Sequence, residues 1–272
     1  MARTCPAMRW FRSASVIGGN VIIRRSGVSA RLPCGLAPAS CRLEPAMASF
    51  LFFDVGGTLL HFSPSHAEAV GRTLRELGVD VSPGRATEAV RTARRSHDGR
   101  PNPIDLDANR VWWLGLFERM LAQFGLDPND PIRDELYERH RSGEWLHPAD
   151  DTISTLELLA GRGHRLAIIS NWDDTLDAIL ERRDLRRYFD FVVASSQLGS
   201  AKPDRRIFET ALKLADVRPD DAVHVGDEYD ADVRGARGAG IRPILLVSHR
   251  AVPTGESAET IQSLEGLLEI VS

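Results

Sequence analysis

Five short apolar runs constrain this chain more than any other feature. They are Phe50–Phe53, Leu166–Ile169, Phe191–Ala194, Ala222–Val225 and Ile244–Val247. Runs this brief, β-branched or aromatic and apolar on successive residues, suit strands buried on both faces, as in a parallel sheet. From residue 151 onward amphipathic stretches lie between them: Thr152–Gly161, Thr175–Arg183, Asp204–Ala215 and Asp232–Gly240, with Ile261–Ile270 as a last helix. Strands alternating with helices predict an α/β fold, a doubly wound parallel sheet with right-handed crossovers.

Residues 64–148 read differently, with helical periods and no convincing strand. Ala67–Leu77, Arg85–Arg95, Asn109–Phe124 and Ile132–Arg141 each repeat apolar residues at three- and four-residue spacing. The expectation is an all-helical insert over 64–148 in a body formed by 48–63 and 149–272. Trp112 and Trp113 are expected in the core of that insert rather than as a ligand platform.

Charge separates off the beginning of the chain. Residues 1–47 carry seven arginines and one acid, Glu44. That is +6 against −4 for the whole chain, which leaves −10 for the rest. All three cysteines (Cys5, Cys34, Cys41) also lie there, so the body depends on no disulfide and no cysteine-bound metal. The segment has no sustained helical or strand period. It is read as a disordered leader, a targeting segment or a start assigned too early, since Met47 sits just before the first strand. The expected location is cytoplasmic, with organelle targeting by 1–47 left open. A −10 body argues against nucleic-acid or anionic-membrane binding. No run reaches the roughly 18 apolar residues of a membrane helix.

Ligands of open parallel sheets bind at the carboxyl ends of the strands. The first run is followed by Asp54-Val55-Gly56-Gly57-Thr58 and the second by Ser170-Asn171. The third leads to Lys202-Pro203, and the fourth is followed by Gly226-Asp227 with Asp230 and Asp232 beyond. Any one of these is an ordinary turn or cap signal. Together they would gather carboxylates, a hydroxyl and an ammonium at one sheet edge. Clustered carboxylates resist ionising together unless a cation neutralises them. Their oxygens suit Mg²⁺, which commonly also holds a substrate phosphate. Gly56 and Gly57 permit a tight turn whose amides would face an anion. Ser170 and Lys202 could bind phosphoryl oxygens, and a carboxylate can act as a nucleophile toward phosphorus.

This ordered set resembles the haloacid dehalogenase-like hydrolase superfamily over residues 50–247, in its helical-cap form with a Rossmann-like core. The most specific stretch runs AKPDRRIFETAL … VHVGDEYDADVRGARGAG within Ala201–Gly240. The resemblance implies that Asp54 is the nucleophile and forms an aspartyl-phosphate. It implies Mg²⁺ held by Asp54, the Gly56 carbonyl and Asp227, with Asp232 supporting through water or Lys202. Gly57, Thr58, Ser170 and Asn171 would bind and orient the phosphate, and Lys202 would balance its charge. The partner would be a small phosphorylated molecule and the protein a monomer or homodimer.

One position departs from the pattern. Phosphatases of the family usually carry a second Asp two residues after the nucleophile, and here that residue is Gly56. Losing a general acid/base is worth about 10²–10⁴ in rate. Three outcomes stand open: a substrate with a good leaving group, another acid among Asp173, Asp174, Glu228 and His61, or binding without efficient turnover. A 2-haloacid dehalogenase-type hydrolase, which also lacks that Asp, and a non-catalytic binding or regulatory protein are the alternatives. Restoring the acid in Gly56→Asp is expected to favour alkyl over aryl phosphates.

Overall fold

The computed structural model describes residues 11–17, 20–26, 50–96, 103–127, 131–247 and 252–271. Strands β1 (Phe11–Ile17) and β2 (Asn20–Ser26) form an antiparallel hairpin in which Val16 faces Val21. This corrects the expectation of no strand in that segment. The β-branched triplet Val21-Ile22-Ile23 favours a strand even without strict alternation. The remainder of 1–47, and the reading of it as a leader, lies outside the described residues.

The body opens with β3 (Phe50–Phe53) and β4 (Leu60–Phe62). Four helices follow: α1 (His66–Glu76), α2 (Pro83–Arg95), α3 (Leu106–Ala122) and α4 (Pro131–Arg141). Their starts are written locally. Ser65 and Glu68 cap α1 reciprocally, Ser82 and Pro83 start α2, and Asp105 accepts the Ala108 amide of α3. The chain returns through β5 (Leu146–Pro148), α5 (Thr152–Gly161), β6 (Arg165–Ser170) and α6 (Leu176–Arg182). Then come β7 (Val192–Ala194), α7 (Ser195–Leu198), α8 (Arg205–Ala215) and β8 (Ala222–Gly226). A wide π-type turn over Tyr229–Arg234, α9 (Gly235–Gly238), β9 (Arg242–Leu246), β10 (Glu259–Ile261) and α10 (Leu267–Ile270) complete it.

Six strands form a parallel sheet in the order β10-β9-β8-β3-β6-β7. The chain therefore winds one way from β3 to β7, then restarts beside β3 at β8 and winds the other way. A crevice opens at such a reversal, at the carboxyl ends of the strands. Alternate residues of the strands feed two cores. Leu51, Phe53, Leu166 and Ile168 pack on one face with Leu156 and Ile179. Phe50, Phe52, Ala167 and Ile169 pack on the other with Phe208 and Ala211 of α8. Burial on both faces is why these runs carry no polar alternation.

Helices α1–α4 surround a third core that includes Val70, Leu74, Leu116, Phe117, Met120 and Leu136. The insert joins the body through the antiparallel ribbon β4–β5, in which Leu60 faces Pro148 and Phe62 faces Leu146. Residues 64–148 thus contain a strand, β5, which the helical reading of that span missed. Two other expectations change. The last segment begins as strand β10, not as a helix from Ile261, because Thr260 and Ile261 extend the sheet beside Leu245 and Leu246. The helix expected from Asp232 begins as the π-type turn, which turns Asp232 inward to be 1% exposed. Among the described residues no helix is long and apolar enough to cross a membrane.

Candidate active site

Asp54 follows β3 and Asp227 follows β8, the two strands at the reversal, so strand order alone brings them together. Ser170 ends β6 on the other side of β3, and its hydroxyl donates to Asp54 Oδ1 at 2.8 Å. Lys202 enters from the loop before α8. Its ammonium lies 2.6 Å from Asp54 Oδ1 and 2.6 Å from Asp232 Oδ1. The four loops predicted to converge do so.

Asp232 is held from three sides. Besides Lys202, His224 Nε2 lies 2.9 Å from Asp232 Oδ1, and the Glu228 amide donates to Oδ2 at 3.0 Å. Burial opposes its charge, but Lys202 and His224 outweigh burial and hold its carboxyl well below the usual carboxylate range. Asp54 goes the other way. Burial pushes its pKa up and the Asp232 charge adds to this, while Lys202 offsets only part. Burial also works against the Lys202 charge, yet the two carboxylates beside it raise its pKa further still. The site holds a firmly ionised Lys202–Asp232 pair beside a more protonatable Asp54.

Two glycines let these groups approach. Gly57 has φ +81°, and a Cβ on it would overlap the Asp227 carboxylate. A Cβ on Gly226 would overlap the Asp232 carboxyl. One oxygen from each of Asp54, Asp227 and Asp232 can lie within 4.8 Å of the others. Three carboxylates against one ammonium leave two negative charges, an all-oxygen donor set of the kind that suits a hard divalent cation. Asp232 already spends both oxygens on Lys202, His224 and the Glu228 amide. Asp54 and Asp227 are therefore the better-placed ligands, and the residues fit a divalent ion.

Other predicted residues do different work. Asn171 clamps the lysine loop: its Nδ2 donates to the Lys202 carbonyl at 2.9 Å and its Oδ1 accepts the Lys202 amide at 2.7 Å. The amide of Gly57 donates to Leu60 O and that of Thr58 to Val55 O, so the loop uses them itself rather than turning them to an anion. Thr58 is fully buried, its hydroxyl has no hydrogen-bond partner, and it lines neither cavity described below.

Over Asp54 lies a cavity of about 130 Å³, walled by Gly56, Ser170, Trp172, Lys202, Glu228 and Asp232 among others. It shares Gly56, Asn171, Trp172 and Glu228 with a cavity of about 540 Å³ under the helical insert. Phe62, His66, Trp113 and His140 line the larger one. Trp113 thus does more than fill the insert's core: it packs on that core while presenting a face to the cavity, its ring centroid 3.8 Å from that of His140. The Trp172 ring lies close to Gly56: a Cβ there would be 3.3 Å from it, a contact that the ring would have to relieve by a few tenths of an ångström. Sequence reasoning passed over Trp172 and the role of His224. The only signal for His224 was a ring nitrogen inside a central strand, and buried polar groups need partners.

The family model for haloacid dehalogenase-like hydrolases matches residues 50–240. The human haloacid dehalogenase-like hydrolase domain-containing protein 3 is 35% identical over 213 residues, spanning 74% of this chain and 83% of that protein. A ribulose-1,5-bisphosphate 5-phosphatase of Halopiger xanaduensis is 29% identical over 219 residues, 78% of this chain and 90% of its own length. Among solved structures, a HAD phosphatase from Thermococcus onnurineus superposes with TM-score 0.58 at 26% identity, covering 82% of this chain and 98% of that one. A 2-haloacid dehalogenase from Pseudomonas syringae pv. Tomato DC3000 superposes with TM-score 0.56 at 27% identity, over the same shares.

Proposed function

Because this chain belongs to the haloacid dehalogenase-like hydrolase family, we propose that it is a Mg²⁺-dependent phosphatase of a small phosphorylated molecule, with Asp54 as nucleophile. The observation that carries this reading is the grouping of Asp54, Lys202 and Asp232 within 2.6 Å contacts, with Asp227 beside them. The phosphatase-named relatives support it.

Asp54 attacks phosphorus and forms an aspartyl-phosphate, which water then opens. Lys202 offsets the charge of the nucleophile and of the entering phosphoryl group. Asp232 and His224 fix the ammonium, and Asn171 fixes the backbone that carries it. Ser170 orients Asp54 through its hydrogen bond to Oδ1. Asp54, Asp227 and the Gly56 carbonyl would hold Mg²⁺, which supplies charge neutralisation and polarises the phosphoryl oxygens. The insert over 64–148 acts as the cap of a body made of 48–63 and 149–272, excluding water from the site. The same reading has the protein cytoplasmic, monomeric or homodimeric, and without a nucleic-acid or membrane partner.

Gly56 and the likeness to a 2-haloacid dehalogenase favour one second reading, displacement of halide from carbon. The two separate in one assay of phosphate and chloride release, with Mg²⁺ and with chelator. Phosphate release is expected only with Mg²⁺, and Asp54→Asn should lower it by more than about 10³-fold with an unchanged melting curve. Chelator-insensitive chloride release would move the chain to the second reading.

A further inference from the structure

The phosphatase reading leaves open what the phosphate is attached to, and the two joined cavities address that. We propose that the substrate is an aryl phosphate, the monoester of a phenolic hydroxyl on a flat ring system, with its ring in the cavity lined by Trp113, Trp172, Phe62 and His140. The inference rests on that phosphatase reading and deepens it.

The leaving oxygen is the first argument. At Gly56 there is no acid, and the Trp172 ring stands 3.3 Å from where a Cβ would be. Asp173 accepts from the amide and hydroxyl of Thr175, and Asp174 is paired with Arg141 at 3.2 Å. His61 lines only the larger cavity. Glu228 lines both cavities and is the one candidate acid left in reach, which is why Glu228→Gln is among the variants. With an indole rather than an acid beside Gly56, a leaving group that is stable as an anion is favoured. A phenolate is far more stable than an alkoxide.

The second argument is the wall. A cavity of about 540 Å³ is in the range that encloses a ring-containing small molecule. Phe62, His66, Trp113, His140 and Trp172 present rings to it, and its charged lining residues are Arg141, Asp173 and Glu228. Burial pushes the pKa of both His66 and His140 down, so both are neutral at pH 7. Arg141 is compensated by Asp174. Such a wall recognises ring faces by stacking and edge contacts.

The chemistry balances without a donor at Gly56. An Asp54 oxygen attacks phosphorus, the bond from phosphorus to the aryl oxygen breaks, and the phenolate leaves with the electron pair. Water then attacks the aspartyl-phosphate, regenerating the Asp54 carboxylate and inorganic phosphate. The proton released from that water neutralises the phenolate through solvent.

The test uses the full chain with Mg²⁺ and four substrates. Acetyl phosphate has an acidic leaving group and no ring, 1-naphthyl phosphate has both, 2-phenylethyl phosphate has a ring on an alkyl oxygen, and glycerol 1-phosphate has neither. The expected result is turnover of acetyl and 1-naphthyl phosphate. For 1-naphthyl phosphate kcat/KM should exceed that for 2-phenylethyl phosphate by about 10²-fold or more. Its KM should lie below that for acetyl phosphate and rise about ten-fold in Trp113→Ala. Turnover of acetyl phosphate with 2-phenylethyl or glycerol phosphate within ten-fold of 1-naphthyl phosphate overturns the aryl assignment alone. So does alkyl phosphate turnover that Glu228→Gln removes, since Glu228 would then be the missing acid. No turnover of acetyl phosphate under any condition overturns the phosphatase reading, and this inference with it.

Discussion

The two cavities that meet at Gly56 and Trp172 are built from opposite materials. The smaller is walled by polar groups locked to one another: Asp54, Ser170, Lys202 and Asp232, with His224 behind Asp232, are linked by contacts of 2.6–2.9 Å. The larger is walled by rings that touch through faces and edges, with centroids 3.8–6.3 Å apart around His140. Buried ionic contacts are intolerant of displacement, because each partner removed leaves a charge without compensation. Ring contacts are graded, so a wall of them can be altered in steps. The body thus holds what a reaction requires to be fixed, and the insert holds what a substrate requires to be shaped.

Lys202→Met breaks this contrast most severely. It takes the only ammonium from between Asp54 and Asp232, and is expected to cost about 3–5 kcal/mol of stability in urea unfolding, together with turnover. A variant that melts like the parent would show that the pair is not under the tension its burial implies. The boundary between the cavities is the next place to press. Gly56→Asp alone should gain less on alkyl phosphates than the double variant, because the Trp172 ring, 3.3 Å from the new Cβ, must shift by a few tenths of an ångström. The expectation from sequence counted the missing acid but not the ring. With Trp172→Ala as well, a gain of about ten-fold or more on alkyl phosphates is expected, a non-additive result readable from four kcat/KM values.

The smallest effect concerns acid. Burial, helped by Arg94, lowers the His140 pKa from 6.5 to about 3. Between those values the unfolded chain binds a proton that the folded insert refuses. The stability contribution is therefore complete above pH 6.5 and declines as pH falls toward 3, by at most about 1.4 kcal/mol per unit. Asp232, also lowered, contributes stability above its ordinary 3.8 and loses it only below. The insert should weaken first on acidification. Urea unfolding followed by tryptophan fluorescence at pH 7.5 and 5 checks this, and His140→Phe should shrink the difference, leaving the part due to His66, whose pKa burial also lowers.

The body was largely legible because its signals are local. Phe50–Phe53 and Leu166–Ile169 are apolar on successive residues because both faces are covered, and the polar groups ending them stand where a parallel sheet puts its site. What escaped was tertiary. Glu259–Ile261 is a three-residue edge strand, too short and polar to read without Leu245 and Leu246 beside it. His224 hides inside a strand as one polar letter among apolar ones, and only the turn that brings Asp232 back gives it a partner. Nothing near Trp172 in sequence announces that its ring would stand over Gly56. Asn171 was legible as a site residue, but the backbone it clamps lies 31 positions away.

The ribbon β4–β5 has one more consequence. Leu60–Phe62 and Leu146–Pro148 are hydrogen-bonded neighbours, so the chain leaves the body and re-enters it about 5 Å apart. A tight hairpin could close that gap without altering any crossover of the sheet. The insert is therefore portable: a foreign helical segment grafted between Phe62 and Leu146 would inherit the Asp54, Ser170, Lys202 and Asp232 cluster intact, and the wall over it could change while the cluster stays the same.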